Sequence, residues 1–349
     1  MWELNYNIHN LLSIKIQSRG KKDPTGNLKY SYFATSGYSE EPDITLNIGP
    51  FKPSYEEAEH IAHKYYVKEN YFYCRERGSK SKWEIEIFGF EKGKTVINFF
   101  GRYRGIRGIV FPTFMAQEFL IPIIEYKLAR KNYFLIHGGA VCKSNTGFVL
   151  TGRPGVWKTS LLLDLMRTNK YKFLGDDRII IKEDGSLLSF PTSLFLFNYT
   201  LINSKTEKRN AFDNFRLLLQ VLTNKTEKNS ITPIAECARI KKIIFVARKT
   251  NQNIDVRPIL NHEGIQKIIT NNMAESVEST KKSPIGQYSN YVLVYSLIFP
   301  DNDIVKHSHR LSEGLSKIAG ETQMSEITMP FIYDQTAIEI ITYQIIQGE

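Results

Sequence analysis

The sequence predicts an α/β protein in which a smaller, β-rich α+β domain over residues 1–110 precedes a larger α/β domain over residues 111–349. Within the first hundred residues, apolar and polar side chains alternate with the two-residue period of half-buried strands. A cluster of glycine and proline interrupts this periodicity at residues 101–112, which indicates a domain boundary. Residues 147–175 follow the order strand, loop, helix, strand, which is typical of a βαβ unit in a sheet with parallel pairing.

Composition narrows the class of protein. The chain has 349 residues, of which 42% are hydrophobic, so disordered and low-complexity architectures are excluded. Its three cysteines, Cys74, Cys142 and Cys237, are too far apart for a local disulfide framework or cysteine zinc site, which favours a reducing compartment. The first ten residues lack the pattern of a signal peptide, and no apolar stretch approaches the roughly 20 residues that span a bilayer. We therefore expect a cytoplasmic protein without a membrane span.

In the first domain, the alternation predicts strands at residues 12–16, 83–87 and 96–99. A helix is predicted at residues 54–66, because Ser54 is a favourable N-cap and Glu57 follows it at the spacing of a capping box. The aromatic run at residues 71–73 is expected in the core of this domain.

Further elements of the second domain follow from the same periodicities. We expect helices at residues 113–130, 158–167 and 336–346, and strands at residues 133–136, 147–151, 172–175, 178–182, 187–190 and 240–247. Asp184 and Gly185 form the dipeptide of a hairpin turn between two of these strands. The polar, lysine-rich segment 205–230 is interpreted as an excursion from the core.

The most informative segment is the 152–159 loop, which reads Gly-Arg-Pro-Gly-Val-Trp-Lys-Thr. It follows a predicted strand and precedes a predicted helix, which is the context of a Walker A phosphate-binding loop. In such a loop, backbone N–H groups and the helix N-terminus surround the phosphates, the lysine reaches the β- and γ-phosphates, and the hydroxyl binds Mg²⁺. We predict nucleotide contacts from Gly152, Gly155, Val156, Trp157, Lys158, Thr159 and Ser160.

Trp157 occupies the position at which this loop usually has its last glycine. We interpret the departure as steric rather than torsional, because the backbone at the start of a helix need not have a positive φ. The indole then either turns away from the phosphates or obstructs them.

A second pattern of glycine, lysine and threonine occurs in the 89–95 turn, which reads Gly-Phe-Glu-Lys-Gly-Lys-Thr. It is one residue shorter and leads into a predicted strand, so no helix N-terminus would face a ligand there. We predict a hairpin turn.

Two adjacent acidic residues, Asp176 and Asp177, end a predicted strand seventeen residues after Thr159. Carboxylates beside a phosphate loop hold Mg²⁺ or accept the proton of an attacking hydroxyl. Adjacent strand residues point to opposite faces, so we expect the two to divide these roles. The alternative is that one of them caps a turn and pairs with Arg178.

Residues 136–182 resemble the catalytic domain of HPr kinase/phosphorylase and its relatives, including kinases associated with modified-peptide gene clusters. The resemblance depends on His137-Gly138 about fifteen residues before Gly152, on the 152–159 loop, and on the run Gly-Asp-Asp-Arg at residues 175–178. It covers about fifty residues well and the following strands loosely.

The resemblance implies a fold of the HPr kinase and phosphoenolpyruvate carboxykinase type, and transfer of the γ-phosphoryl group of ATP to a serine hydroxyl. By motif position, Lys158 and Thr159 would bind the phosphates and Mg²⁺. Asp176 or Asp177 would be the base for the acceptor hydroxyl while the other helps to bind the metal, for which we assign Thr159 and Asp176. His137 would lie near the transferred phosphate; the alternative is a turn histidine satisfied by the backbone.

These observations favour an ATP-dependent kinase with a hydroxyl-bearing protein, peptide or small molecule as acceptor. The alternative raised by Trp157 is a non-catalytic nucleotide-binding or scaffold protein with a degenerate loop. The net charge of +10 attracts nucleic acid, but it comes from scattered lysines without an aromatic and basic motif, which argues against nucleic acid as the partner. The number of subunits, including a homo-oligomer, stays open.

Two histidine pairs are candidate metal ligands. His60 and His63 lie three residues apart on the predicted helix, and His307 and His309 are placed in a polar loop. Because neither pair has an evident third ligand, surface histidines are the favoured interpretation.

Overall fold

The computed structural model describes residues 1–20, 29–37, 41–77, 81–103, 116–192, 194, 197–198, 232–250, 253–278, 284–320, 322–330 and 339–343. It is a mixed α/β fold with two large mixed sheets. The described residues fall into two compact units: unit 1 includes Met1–Lys127 and Ser279–His307, and unit 2 includes Leu128–Lys205, Lys228–Glu278 and Ser308–Glu349. The predicted boundary between residues 110 and 111 and the predicted excursion at residues 205–230 lie outside the described residues.

Unit 1 contains a nine-stranded sheet in the order β3-β1-β2-β4-β9-β8-β7-β6-β5. Pairing is antiparallel except that β4 is parallel to both β2 and β9. The strands are β1 (Trp2–Ile8), β2 (Leu12–Ser18), β3 (Ala34–Thr35), β4 (Ile44–Ile48), β5 (Glu59–Ile61), β6 (Tyr65–Lys68), β7 (Tyr71–Arg77), β8 (Ser81–Phe88) and β9 (Thr95–Tyr103). The three strands predicted from alternation lie within β2, β8 and β9, and the predicted aromatic run in β7 is buried.

The predicted helix at residues 54–66 is wrong, because this segment contains β5 and the start of β6. The amide of Ser54 donates to the buried carboxylate of Glu86 at 2.6 Å, and the carbonyl of Ser54 accepts from Nζ of Lys68 at 3.0 Å. Glu57 has φ of +63°, which the third residue of a helix does not adopt. The backbone amide and carbonyl of Ser54 thus bond to side chains of two strands and not to groups of a helix.

Described helices are α1 (Leu120–Ala129), α2 (Lys158–Arg167), α3 (Asn261–Glu278), α4 (Pro284–Ile298) and α5 (His307–Ala319), with a short 3₁₀ helix at Ser31–Phe33. α2 has the predicted bounds, whereas the described part of the predicted 113–130 helix contains α1. Of the predicted 336–346 helix, residues 339–343 are described and are helical. None of the helices in the described ranges is long and apolar enough to cross a membrane.

Unit 2 contains the second nine-stranded sheet, with the path β10-β14-β15-β16-β12-β11-β13, from which β18 pairs with β16 and β17 with β18. Its strands are β10 (Tyr133–His137), β11 (Gly139–Lys143), β12 (Thr146–Thr151), β13 (Lys172–Gly175), β14 (Arg178–Lys182), β15 (Ser186–Leu188), β16 (Cys237–Arg248), β17 (Asp255–Pro258) and β18 (Gln323–Met329). Each strand predicted for this domain is present, but the one predicted at residues 187–190 ends at Leu188 and the one predicted at residues 240–247 is longer at both ends. β14 and β15 form the predicted hairpin, with Gly185 at φ of +81°.

The predicted order of strand, loop, helix and strand is confirmed as β12, the 152–159 loop, α2 and β13. β12 and β13 are not neighbours, however, because β11 pairs antiparallel with each of them. The parallel partner of β12 is β16, which in turn is parallel to β18. The loop after β12 therefore lies beside the carboxyl end of β16.

Two apolar clusters cover opposite faces of the unit 2 sheet. Val149 of β12 belongs to the cluster that includes Leu311 and Leu315 of α5, whereas Phe148 and Leu150 belong to the cluster that includes the leucines of α2. Successive side chains of a strand point to opposite faces, which accounts for this division. The packing fixes α2, and with it the loop at its N-terminus, against one face of the sheet.

Candidate functional site

The 152–159 loop connects the carboxyl end of β12 to the N-terminus of α2. Gly152 has φ of +148°, and a Cβ atom there would lie 2.3 Å from the carbonyl oxygen of Val246 in β16. Gly155 has φ of +77° and faces open space. Gly152 is thus required both by backbone conformation and by the close approach of β16, and Gly155 by conformation alone.

Trp157 is the N-cap residue of α2 and has φ of +71° and ψ of +13°, which is the left-handed region. The interpretation of this substitution as steric rather than torsional is therefore wrong. A non-glycine residue in this region costs on the order of 1–3 kcal/mol unless its surroundings hold it there. The loop keeps the backbone conformation of a glycine at this position although the residue is a tryptophan.

The indole of Trp157 is half-buried and packs against the apolar cluster of α2. Over its ring lies the guanidinium of Arg248, 4.7 Å from the ring centroid. Nη1 of Arg248 also donates a hydrogen bond of 2.6 Å to the carbonyl of Gly155. Arg248, the last residue of β16, is thus part of this site, although nothing in the loop motif indicates it.

Lys158 begins α2 and is buried, with 7% of its surface exposed. Its Nζ donates to the carbonyls of Gly152 at 2.7 Å and Arg153 at 3.0 Å. These two carbonyls belong to the first two residues of the same loop, so the ammonium lies against the loop backbone. A phosphate oxygen would compete with them for its N–H groups.

Thr159 and Asp176 come together as the sequence predicts. Oγ1 of Thr159 donates to the Asp176 carboxylate, at 3.0 Å from Oδ2 and 3.2 Å from Oδ1. Burial, together with the nearby charge of Asp177, raises the pKa of Asp176 to about 7. The Thr159 hydroxyl, the amide of Asp177 at 3.1 Å and the Lys158 ammonium act in the opposite direction. Asp176 is therefore a carboxyl group whose charge state changes near neutral pH.

Asp177 differs from Asp176 in position and exposure. Its side chain is exposed and its φ is +69°. Its carbonyl accepts a 3.1 Å hydrogen bond from the amide of Gly138. Asp176 contacts Thr159 whereas Asp177 is open to solvent. Both residues lie in the bend between β13 and β14, so the expectation that they point apart as neighbouring strand residues is wrong, and their division of roles stays a prediction.

His137, which is 5% exposed, ends β10 between the loop and the acidic pair. Its carbonyl accepts from Oγ1 of Thr151 at 2.7 Å, directly before the loop, and its amide donates to Oδ1 of Asn272 at 2.8 Å. Nδ2 of Asn272 donates to the carbonyl of Leu135 at 3.1 Å. Asn272 of α3 therefore fixes the end of β10, a role that no local sequence signal indicates.

The two remaining residues predicted to contact nucleotide lie in the loop and at the start of the helix. Val156 is a buried residue of the loop, and Ser160 lies in the first turn of α2. The side chain of Trp157, the N-cap residue of this helix, makes no capping hydrogen bond. Since the first N–H groups of a helix lack intrahelical partners, this terminus favours an anion.

The 89–95 turn is the predicted hairpin between β8 and β9. Gly89 and Gly93 have φ of +68° and +80°, and a Cβ on Gly89 would lie 1.9 Å from the carbonyl oxygen of Lys94. The hydroxyl of Thr95 donates to the carbonyl of Gly89 at 2.8 Å, so this threonine serves the turn itself.

The histidine pairs form no metal cluster within the described ranges. The ring of His60 stacks on Tyr66, with centroids 4.4 Å apart, and meets His63 edge to face. The prediction of a polar loop at His307 and His309 is wrong, because both lie in the first turn of α5, where the amide of His307 donates to the carbonyl of Ile304.

Neither protein-family models nor curated protein sequences match the chain.

Proposed function

We propose that the protein is an ATP-dependent kinase with a phosphate-loop domain of the HPr kinase type, which transfers the γ-phosphoryl group to a serine-type hydroxyl of a protein, peptide or small molecule. One observation carries the proposal: the Thr159 hydroxyl at the N-terminus of α2 lies 3.0 Å from the Asp176 carboxylate. This pairing of a hydroxyl directly after the loop lysine with a carboxylate at a strand end is the arrangement that binds Mg²⁺ in phosphate-loop enzymes.

The residues present fit ATP and Mg²⁺ in their chemistry. Mg²⁺ prefers oxygen ligands and is usually held by one or two carboxylates together with substrate phosphates. Thr159 and Asp176 supply such oxygens, Lys158 supplies a positive charge beside them, and the uncapped end of α2 favours phosphate. Gly155 faces open space, which leaves room beside the loop.

In this proposal, the residues of the chain position the reactants and balance charge. Lys158 would exchange its two loop carbonyls for phosphate oxygens and stabilise the charge that moves to the leaving ADP. Thr159 and Asp176 would hold Mg²⁺. Asp177, which is exposed, would accept the proton of the acceptor hydroxyl as its oxygen bonds to the γ-phosphorus and the bond to ADP breaks. His137 would keep its place through Asn272 and Thr151.

The test measures release of phosphate from γ-labelled ATP, with water as acceptor, in Mg²⁺ and in chelator. We expect slow release that depends on Mg²⁺, that added acceptors accelerate, and that is lost both in Lys158→Ala and in the Asp176→Ala/Asp177→Ala double variant. Turnover that persists in both variants would reject the proposal.

The position of Trp157 favours one second candidate, a nucleotide-binding protein without catalysis. An arginine-stacked indole at the last glycine position of the loop could restrict how closely phosphates approach the N-terminus of α2. This candidate predicts that Mg²⁺·ATP binds with no turnover, and that Trp157→Gly increases the affinity. Equal affinity before and after that substitution would remove the basis for this candidate.

A further inference from the structure

Trp157 contacts Arg248, a residue that lies outside the 152–159 loop. Arg248 ends β16, and β16 pairs in parallel with β12, the strand that leads into the loop. Its guanidinium lies over the indole, and its Nη1 donates to the carbonyl of Gly155. One side chain from a distant segment thus contacts two residues of the 152–159 loop.

We propose that Trp157 and Arg248 act as a pair that holds the loop in its phosphate-binding shape without the usual glycine, and that Arg248 is a positioning residue of the site. This inference rests on the proposed function, because the shape matters only if phosphate binds there.

The backbone of Trp157 has a conformation that favours glycine. A glycine adopts φ of +71° at no steric cost, whereas a tryptophan needs compensating contacts. The indole obtains them from the apolar cluster on which it packs and from the guanidinium above it. A cation over an indole face is a favourable arrangement, and tryptophan is the best aromatic partner for it.

The contact between Arg248 and Gly155 also sets the direction of an amide group. The carbonyl of Gly155 points to Arg248, and in a trans peptide the next N–H points the opposite way. The N–H of Val156 is therefore directed away from the guanidinium. Arg248 thus fixes the orientation of one of the amide groups predicted to contact phosphate.

Arginine suits this position for reasons that do not extend to lysine. Its planar guanidinium can stack on a ring with its face and donate hydrogen bonds from its edge at the same time. A lysine would retain the charge but not this combination. Arg248→Lys therefore separates the contribution of geometry from that of charge.

The test is a double-mutant cycle of wild type, Trp157→Gly, Arg248→Ala and the double variant, in which the affinity for Mg²⁺·ATP is measured by calorimetry. In the presence of Trp157, we expect Arg248→Ala to weaken binding about tenfold, and Arg248→Lys to weaken it to a similar degree. In the Trp157→Gly background, Arg248→Ala should weaken binding by less than about threefold, because glycine keeps the conformation unaided. Lys249→Ala is the matched control, since it removes an exposed charge one residue further on.

Equal losses in the two backgrounds would overturn the proposed pair, because a guanidinium that acts only on phosphate or only through the Gly155 carbonyl does not depend on the indole. Urea unfolding of the same four proteins tests the pair without nucleotide. Additive changes in the free energy of unfolding would overturn the pair itself, and non-additive changes would support it. If none of the four proteins binds Mg²⁺·ATP, the proposed function fails, and the unfolding data show separately whether the pair exists.

Discussion

The 152–159 loop and the 89–95 turn contain similar residues but have different surroundings. In both, carbonyl groups accept hydrogen bonds from a lysine: Lys158 in the first, and in the second Lys127 of α1, which donates to Gly89 at 3.1 Å and Gly93 at 2.7 Å. Lys158 lies at the end of its own loop and begins a helix, whereas Lys127 comes from another element and closes a hairpin. The elements that flank a glycine-rich segment therefore decide whether it can bind an anion.

The two threonines show the same difference. The hydroxyl of Thr159 donates to the carboxylate of Asp176, while that of Thr95 donates to a backbone carbonyl of its own turn. A carboxylate and a hydroxyl can bind the same metal ion. The hydroxyl of Thr95, in contrast, already donates to a carbonyl of its own turn. Four predictions test this comparison.

The largest expected effect distinguishes the lysines next to the two threonines. Lys158→Ala should lower ATP turnover at least about hundredfold, since it removes the ammonium that would contact the phosphates. Lys94→Ala removes the same group from the other segment, where it forms an exposed ion pair with Glu41, and turnover should stay within about twofold of wild type. Phosphate release under the same conditions measures both. A similar loss in the two variants would contradict the comparison.

The next largest effect is a loss of stability when glycines with a positive φ are replaced by alanine. Gly152→Ala and Gly89→Ala each place a Cβ against a backbone carbonyl, so each should lower the free energy of unfolding by at least about 2 kcal/mol in urea titrations. Gly155→Ala meets only the cost of its φ and should lose about 1 kcal/mol. A Gly152→Ala protein as stable as wild type would show that β16 does not approach the loop this closely.

Lys127→Met tests the hairpin alone. Lys127 is buried, and its loss removes the ammonium that donates to the Gly93 carbonyl and one of the two donors to the Gly89 carbonyl, which should cost about 1–3 kcal/mol of stability. Lys92→Met is the control, because Lys92 forms an exposed ion pair with Glu69 and should contribute little. We expect Mg²⁺·ATP affinity to be unchanged in both folded variants. Weakened nucleotide binding in Lys127→Met would contradict the assignment of the turn as purely structural.

The last expected effect is a pH dependence of stability that originates in the burial of Asp176 beside Asp177. The pKa of Asp176 is raised from 3.8 to about 7, so the native state binds its proton more tightly than the unfolded state. Its contribution to stability is therefore largest at low pH and decreases as pH rises through this range. The free energy of unfolding of Asp176→Asn minus that of wild type should increase as the pH rises from 3.8 to about 7, and it should stay constant at higher pH. A difference that does not change with pH would contradict the shift.

Much of unit 2 could be predicted because its signals are local. α2, β13 and β14 have the predicted bounds. β13 ends at a glycine and β14 lies between acidic residues, while α2 follows the glycine-rich loop. The helix predicted at residues 54–66 failed although its capping pattern is favourable. The amide and carbonyl of Ser54 bond to Glu86 and Lys68 instead. These two side chains lie next to Ser54 because of the way the strands pair, which the local sequence does not indicate.

The candidate site divides in the same way. Lys158, Thr159 and Asp176 follow from motif and spacing, and the structure brings them together. Arg248 and Asn272 come from segments far along the chain and reach the site only because β16 lies beside β12 and α3 beside β10. The φ of Trp157 was predicted wrongly because left-handed tryptophan is rare, and only the surrounding contacts account for it.

A crystal structure with a non-hydrolysable ATP analogue and Mg²⁺ would test the central assignment most directly. We expect the β- and γ-phosphates to lie in the 152–159 loop, the Lys158 ammonium to have moved from its two carbonyls to the phosphates, and Mg²⁺ to contact Thr159 and Asp176. A nucleotide bound elsewhere, with Lys158 still bonded to Gly152 and Arg153, would contradict it.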